Sequence, residues 1–221
     1  MRFLKRVAIR ISQLTAKITG SIQLSYLYSL YLMKRVGYLE VYRKRMDKQI
    51  KLRPEDSRWR PKTDRWDKAG NIQFQCLIQQ GLKPEHTLLD IGCGSLRAGL
   101  LLIKYLAPGN YTGIDISQEA IKCARQLVSE EGLAVRKPRL LVTHDSRFKE
   151  FEGETFGLIW AYDVLFHLPP EEVEEIFRNI GSILGKGFIS HSNLPAGLRQ
   201  RASTTFAIPF HIFTFWQRRM G

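Results

Sequence analysis

The 221-residue chain is poor in cysteine. It has three cysteines, Cys76, Cys93 and Cys123, an odd number in which no two form a CxxC pair. This spacing excludes a disulfide framework and argues against a cysteine zinc site. The sequence therefore predicts no bound metal, and it favours a reducing compartment such as the cytoplasm.

Long apolar runs are missing as well. The most apolar stretch near the N-terminus, residues 18–33, is interrupted by serine, threonine and glutamine, and no small-residue cleavage site comes after it. A helix that spans a bilayer needs about 20 consecutive apolar residues. The sequence therefore predicts neither a membrane-spanning helix nor a secretory signal.

Acidic residues are absent from the first 39 positions, and the first one is Glu40. Residues 1–68 hold 18 Lys and Arg against 6 Asp and Glu, and so carry +12 of the formal net charge of +13. The remainder of the chain is close to neutral, which argues against a nucleic-acid-binding domain over its whole length. We predict a basic helical extension with a linker over residues 1–68 and one folded domain over residues 69–221.

The first 18 residues have the period of an amphipathic helix. Apolar residues recur at steps of three and four, and basic residues fill the other faces. Three interpretations of residues 1–35 stay open: binding to an anionic membrane surface, packing on the chain's own domain, or an organelle transit peptide. The first is favoured, and it predicts a cytoplasmic protein that is peripheral on the inner face of a membrane.

From Thr87 onward, short apolar runs alternate with helical patterns. Strands are predicted over 88–91, 111–115, 140–142, 156–161 and 188–190, with a further apolar stretch over 206–216. One helix is predicted over 69–80. A second, after Gly94, is predicted to carry Leu96, Leu100, Ile103 and Leu106 on its apolar face. Another after Pro169-Pro170 is predicted to continue to Leu184, with Gly185 closing it. Strands that alternate with helices of this length are typical of βαβ units. The predicted fold class is α/β, a Rossmann-like, doubly wound and mainly parallel sheet with helices on both faces.

The first predicted strand ends in the glycine loop Asp90-Ile91-Gly92-Cys93-Gly94. Glycines permit a tight turn and let a ligand approach the backbone closely. Asp115 ends the second strand, 21 residues after Gly94, where an acidic side chain can accept both hydroxyls of a ribose. Because ligands of open parallel sheets bind at the carboxyl ends of the strands, this unit predicts a site for an adenosine-containing ligand.

The residues after the glycine loop disfavour two common adenosine ligands. The dinucleotide motif GxGxxG requires a third glycine at position 97, which is Arg97 here. The phosphate loop requires Gly-Lys-Ser/Thr at its end, whereas Gly99 precedes two leucines. NAD binding and ATP hydrolysis are therefore not supported.

The run Leu88-Leu89-Asp90-Ile91-Gly92-Cys93-Gly94, with Gly113-Ile114-Asp115 after it, resembles class I S-adenosylmethionine-dependent methyltransferases. The resemblance covers roughly residues 69–191, and the stretch 81–117 is similar to a bacterial subgroup whose substrates are mostly unassigned. It implies S-adenosylmethionine as the cofactor and methyl transfer as the reaction. The family's sixth and seventh strands are not evident after residue 191, so C-terminal strands are expected to be missing.

The resemblance also implies roles for single residues. Asp90 and the loop Gly92-Cys93-Gly94 would hold the methionine part, with Cys93 as a small residue that fills the loop rather than a nucleophile. Asp115 would bind the ribose hydroxyls, and Ile116 would flank the adenine. Asp145 and Ser146, after the third strand, would sit at the adenine amino group, although Asp145 could instead cap its own loop. Tyr162 and Asp163, after the fourth strand, would face the methyl group and the acceptor.

Two residues are candidate acid/base groups in the acceptor site. His167 is the better candidate by chemistry because an imidazole titrates near neutral pH, and Asp163 is the second. Each also has a structural interpretation, as a packed histidine and as an acidic residue at a helix N-terminus. His191, at the end of the fifth predicted strand, has the same ambiguity.

The acceptor class is narrowed by the segment Ala161-Tyr162-Asp163-Val164. It lacks the Asn/Asp-Pro-Pro-Tyr/Phe segment that enzymes methylating amino groups of bases or glutamine share, and the last cysteine, Cys123, precedes it, which disfavours pyrimidine-C5 chemistry. The favoured acceptor is an oxygen or nitrogen of a small molecule, glycan or lipid. Two alternatives stay open: an RNA methyltransferase that binds phosphates through residues 43–68, and a non-catalytic scaffold at a membrane.

Overall fold

A computed structural model describes residues 37–53, 63–191 and 206–208. The chain divides into two compact units, with the division between Arg45 and Met46. No helix within the described ranges has the length and apolar character needed to cross a membrane. The predicted membrane-binding helix of residues 1–35 lies outside the described residues, so its interpretation stays a prediction.

Within residues 37–53 and 63–87, two helices precede the sheet. Helix α1 spans Tyr38–Leu52, and helix α2 spans Asp64–Gln79. α2 begins five residues before the predicted position because the side chain of Thr63 accepts a hydrogen bond from the backbone N–H of Trp66, 3.3 Å away. The helix therefore crosses position 69, where the sequence placed the beginning of the domain.

The sheet has six strands in the order β3-β2-β1-β4-β5-β6. They are β1 Leu88–Ile91, β2 Tyr111–Asp115, β3 Arg139–Val142, β4 Phe156–Tyr162, β5 Leu184–His191 and β6 Phe206–Ile208. β1 to β5 are parallel to their neighbours, and β6 is antiparallel to β5. The strand order reverses direction beside β1, which is the point where doubly wound sheets bind ligands.

Helices cover both faces of this sheet, which confirms the predicted fold class. The other three helices are α3 Gly99–Tyr105, α4 Gln118–Glu130 and α5 Pro170–Ile180. On one face α2, α3 and α4 share a core with Leu88, Tyr111 and Trp160. On the other, α5 packs against Leu89, Ile114 and Ile159. Alternate residues of one strand point to opposite faces, so Leu88 and Leu89 belong to different cores.

Other element boundaries also differ from the prediction. α5 ends at Ile180 rather than Leu184, because Leu184 pairs with Phe156 of β4 and so begins β5 four residues before its predicted start. The helix after the glycine loop begins at Gly99 and excludes Leu96, whose φ of 68° places it in a turn. β6 covers three residues of the predicted 206–216 stretch, and the remainder of that stretch lies outside the described residues.

Candidate functional site

The glycine loop and the end of β2 are joined through the carboxylate of Asp115. The backbone N–H of Gly94 donates to Asp115 Oδ2 at 3.0 Å, and the N–H of Ser117 donates to Oδ1 at 2.7 Å. Each carboxylate oxygen has a second lone pair. Asp115 can therefore hold the loop after β1 and still accept hydrogen bonds from ligand hydroxyls.

The two glycines of the loop serve different purposes. Both have positive φ, 72° at Gly92 and 56° at Gly94. A Cβ at Gly92 would lie 2.3 Å from Val164 Cγ2, whereas a Cβ at Gly94 would have no atom within 4 Å. Gly92 is therefore required by the packing of the protein itself, and the open side of Gly94 leaves space for a ligand to approach the backbone.

Asp90 is a buried carboxylate, with 5% of its surface exposed. Its Oδ2 accepts a hydrogen bond from the hydroxyl of Tyr111 at 2.7 Å. Burial raises the pKa of Asp90 to about 7, against the lowering effect of the Tyr111 hydrogen bond and with a smaller contribution from the charge of Asp115. This carboxylate consequently changes its charge within the physiological pH range.

The pKa of Asp115 is raised to about 6 for a similar reason. Burial is again the main cause, and the hydrogen bonds from the N–H groups of Ser117 and Gly94 oppose it. Repulsion from Asp47 raises it further. At neutral pH Asp115 is thus mostly ionised, which is the form that accepts hydrogen bonds from a diol.

Asp47 of α1 is a residue of this region that the sequence did not reveal. Its Oδ1 accepts from the hydroxyl of Ser117 at 2.6 Å and from the N–H of Glu119 at 3.2 Å. Nearby, Lys51 forms an ion pair with Glu119 at 3.2 Å. The part of α1 from Met46 onward is thus attached to the beginning of α4, close to Asp115. In the sequence, Asp47 stands out as the only acidic residue between Glu40 and Glu55, and this could have marked it as a candidate.

The loop after β3 lies next to the end of β2, since the N–H of Thr143 donates to the Asp115 carbonyl at 3.0 Å. Asp145 is exposed, and its Oδ1 accepts from the N–H of Arg147 at 2.8 Å. Ser146 is buried, and its hydroxyl lies 3.3 Å from Glu172 of α5. Asp145 therefore caps its own loop, and Ser146 is directed toward α5. Ile116, half-buried, comes directly after Asp115.

The loop after β4 packs on the glycine loop through the Val164 contact with Gly92. Tyr162 and Asp163 are half-buried, and Asp163 has a φ of 56°. Burial raises the pKa of Tyr162, and the charge of Asp163 adds to this effect. His167 is exposed at the end of a short 3-10 helix, Leu165–His167. His191 is paired in register with Tyr162.

Cys93 is buried inside the glycine loop, with 7% of its surface exposed. A Cβ at Gly113 would lie 2.9 Å from its sulfur, so the thiol occupies the space that this glycine leaves. Burial and the charges of Asp90 and Asp115 raise the pKa of the thiol. This environment disfavours a thiolate and supports the interpretation of Cys93 as a residue that fills the loop.

Residues 88–187 match a protein family described as a methyltransferase domain. A probable methyltransferase from Aspergillus luteorubrus is 24% identical over 95 residues, which cover 42% of this chain and 33% of that protein. Ribosomal protein L11 methyltransferase from Burkholderia thailandensis is 47% identical over 51 residues, 22% of this chain and 16% of that protein. The matched part of the chain thus spans a third or less of these curated relatives.

The fold is similar to that of magnesium protoporphyrin IX methyltransferase from Synechocystis PCC 6803, solved with bound S-adenosylmethionine. The TM-score is 0.57 at 17% identity, and the alignment covers 73% of this chain and 82% of that one. Identity this low shows the fold alone. The family match extends from β1 into β5 and so includes the glycine loop, Asp115 and the loop after β4.

Proposed function

We propose that this chain, whose residues 88–187 match a methyltransferase domain, is a class I enzyme that transfers a methyl group from S-adenosylmethionine to an oxygen or nitrogen acceptor. The observation that carries the proposal is the hydrogen bond from Gly94 to Asp115, together with the open side of Gly94. Together they leave an opening at the glycine loop, next to a strand-end carboxylate. Both features lie at the switch point of the sheet.

The residues at this point fit the chemical parts of the cofactor. Asp90 offers a carboxylate to the ammonium of the methionine part, and the loop Gly92-Cys93-Gly94 lets that part approach the backbone. Asp115 accepts hydrogen bonds from the ribose diol. Ile116 offers an apolar surface to the adenine, and Asp145 with Ser146 belongs to the adjoining loop, which would lie at the adenine amino group.

The acceptor side is assigned to the loop after β4. When bound, the sulfonium supplies a methyl group that is already activated for displacement, so the protein mainly has to align the acceptor. Val164 contacts Gly92 of the glycine loop, and Tyr162 and Asp163 directly precede Val164. This position supports a role for both residues in orienting the acceptor. His167 is exposed, so solvent reaches the imidazole, which can take a proton from an acceptor hydroxyl or ammonium.

The nature of the acceptor is inferred from the sequence of this loop. Because the Asn/Asp-Pro-Pro-Tyr/Phe segment is absent after β4, a small molecule, glycan or lipid is favoured over a nucleic-acid base. An acceptor screen with methyl-labelled S-adenosylmethionine tests this class. His167→Ala should lower turnover and leave cofactor affinity unchanged, and unchanged turnover would remove His167 from the mechanism.

The cofactor site is tested by calorimetric titration of S-adenosylmethionine and S-adenosylhomocysteine. We expect micromolar binding that Asp115→Ala abolishes. Gly94→Ala is the sharper variant, because its methyl group enters open space in the free protein and should keep the fold while it blocks the cofactor. Gly153→Ala is the matched control, since Gly153 also has positive φ (82°) and open space but lies in the turn before β4.

The outcomes separate two classes of function. If Gly94→Ala loses binding while Gly153→Ala keeps it, the opening at the glycine loop is the cofactor site. If the folded wild-type protein binds neither ligand, the chain is a scaffold that retains the methyltransferase fold without catalysis.

We also propose that residues 1–35 attach the protein to an anionic membrane surface. The support is the sequence, in which a helical apolar stripe is surrounded by basic residues without any acidic one. Flotation with vesicles that contain phosphatidylserine should recover the full chain at low salt and release it at high salt. Equal flotation with neutral vesicles would contradict the electrostatic part of this proposal.

A further inference from the structure

Tyr111, the first residue of β2, is a fully packed tyrosine whose hydroxyl has a defined partner. Only 2% of its surface is exposed, and its hydroxyl donates to Asp90 Oδ2 at 2.7 Å. Its neighbour in register on β1 is Leu88, so the side chain reaches along the sheet to the residue two positions further on the same face. A phenylalanine would fill the same space in the core, so the hydroxyl of Tyr111 serves the hydrogen bond to Asp90.

Gly99, at the beginning of α3, makes room for this hydroxyl. A Cβ at position 99 would lie 2.6 Å from the Tyr111 oxygen and 2.5 Å from Leu96 Cδ2. The absence of a side chain at Gly99 therefore lets the beginning of α3 lie close to the point where the hydroxyl meets the carboxylate. The three residues Asp90, Tyr111 and Gly99 come from three separate elements and converge on one hydrogen bond.

The other oxygen of Asp90, Oδ1, differs from Oδ2 in its hydrogen bonding to the described residues. Asp90 Oδ1 accepts no hydrogen bond from the residues that the structure describes. One oxygen of the carboxylate is thus fixed by Tyr111, and the other is left to a ligand. A hydrogen bond to one oxygen of a buried carboxylate fixes the orientation of the group, and therefore the direction in which its second oxygen points.

We propose that Tyr111 is a positioning residue for the cofactor: its hydroxyl donates to one oxygen of the Asp90 carboxylate and so orients the other oxygen toward the ammonium of the methionine part. This inference rests on the proposed function, because it assumes that Asp90 contacts the cofactor. Tyr111 acts through Asp90 and touches no reacting atom.

The Tyr111 hydroxyl also affects the pH at which the Asp90 carboxyl ionises. The titratable groups that act on Asp90 are Tyr111 and Asp115 of β2 and Cys93 of the glycine loop, and among them only Tyr111 donates a hydrogen bond to it. Removing this donor leaves burial and the Asp115 charge, both of which raise the pKa of Asp90. In Tyr111→Phe the carboxyl should therefore stay protonated to higher pH.

The test is the pH profile of S-adenosylhomocysteine binding to wild-type protein and Tyr111→Phe between pH 6 and pH 9. We expect Tyr111→Phe to bind about tenfold more weakly at pH 7, since a hydrogen bond to a charged group has at least this effect. The difference should shrink toward pH 9, where the carboxyl ionises in both proteins. A loss of the same size at every pH would mean that Tyr111 only supports the core, and would overturn the proposal.

Two control variants complete the design. Tyr105→Phe removes a hydroxyl that donates to the Leu82 carbonyl at 3.1 Å, outside the Asp90 cluster, and its pH profile should match the wild type. In an Asp90→Asn background, Tyr111→Phe should no longer change the pH profile. If it does, the hydroxyl acts on some other group.

A second measurement separates this inference from the proposed function. The Asp90 carboxyl can be titrated by carbon NMR in the free protein, without any cofactor. Tyr111→Phe should raise its midpoint even if no methyltransferase ligand binds. Absence of binding in the wild type would overturn the proposed function, whereas an unchanged Asp90 midpoint would overturn the role of Tyr111.

Discussion

The loops at the carboxyl ends of β1 and β2 differ from those after β3 and β4 in what fixes them. At the first pair, backbone N–H groups of Gly94 and Ser117 hold the Asp115 carboxylate, and Tyr111 holds Asp90. At the second pair, Asp145 and His167 are exposed. The half formed by the loops after β1 and β2 is fixed before any ligand arrives. The half formed by the loops after β3 and β4, which we assign to the adenine amino group and to the acceptor, presents side chains to solvent.

The contact between the two halves can be broken at Gly92. Gly92→Ala would place a methyl group 2.3 Å from Val164 Cγ2 at a φ of 72°. Overpacking and left-handed strain together should lower the free energy of unfolding by about 3–4 kcal/mol. Urea denaturation measures this loss. Adding Val164→Ala should restore about half of it, and no recovery would show that backbone strain alone is responsible.

The buried charge of Asp90 predicts a pH-dependent stability. Its folded-state pKa of about 7 lies above the ordinary value of 3.8, so the folded protein binds this proton more tightly than the unfolded chain does. The stabilising contribution of the protonated group is complete below about pH 4 and is lost as pH rises to about 7. Asp90→Asn should abolish this loss and be more stable than wild type above pH 8, by on the order of 2–3 kcal/mol.

Thermal unfolding from pH 4 to pH 9 tests this prediction in the free protein. The same variant should bind the cofactor more weakly, because the neutral amide no longer attracts an ammonium. A constant difference in unfolding temperature between the two proteins across this range would contradict the assigned pKa.

The attachment of α1 can be weakened at Asp47. Asp47→Ala removes the acceptor for the Ser117 hydroxyl and the Glu119 N–H, and should cost about 1–2 kcal/mol of stability. Because Ser117 also holds Asp115, cofactor affinity should fall by roughly threefold. Asp47→Asn keeps an acceptor oxygen and should recover most of both effects. Lys51→Ala removes an exposed ion pair and should change stability by less than about 0.5 kcal/mol.

The smallest effect is expected at Asp145. Its carboxylate is exposed and already accepts from the N–H of Arg147. Asp145→Ala should weaken cofactor binding by about fivefold or less, because an exposed hydrogen bond contributes little. Calorimetry with S-adenosylhomocysteine measures this change. If Asp145→Ala lowers the affinity as much as Asp115→Ala does, the loop after β3 contributes as much to cofactor binding as the end of β2.

The sheet and the glycine loop could be predicted because their signals are local. These signals fall within about 30 residues: a buried strand, the loop Gly92-Cys93-Gly94 and Asp115. The glycines permit a tight turn, and an acidic residue at a strand end can accept ribose hydroxyls. The predicted boundary between α5 and β5 was wrong because a distant residue pairs with this segment. Leu184 continues the apolar stripe of α5, but pairing with Phe156 of β4 places it in a strand instead.

The sequence by itself determined the fold class, the switch point beside β1 and the identity of the strand-end carboxylates. Tertiary structure alone decided how those carboxylates are held. Asp47 meets Ser117 across 70 positions, Tyr111 meets Asp90 across 21, and Gly92 meets Val164 from another strand end. Contacts of this kind depend on how helices and strands pack together, and they leave no periodic pattern along the chain from which they could be inferred.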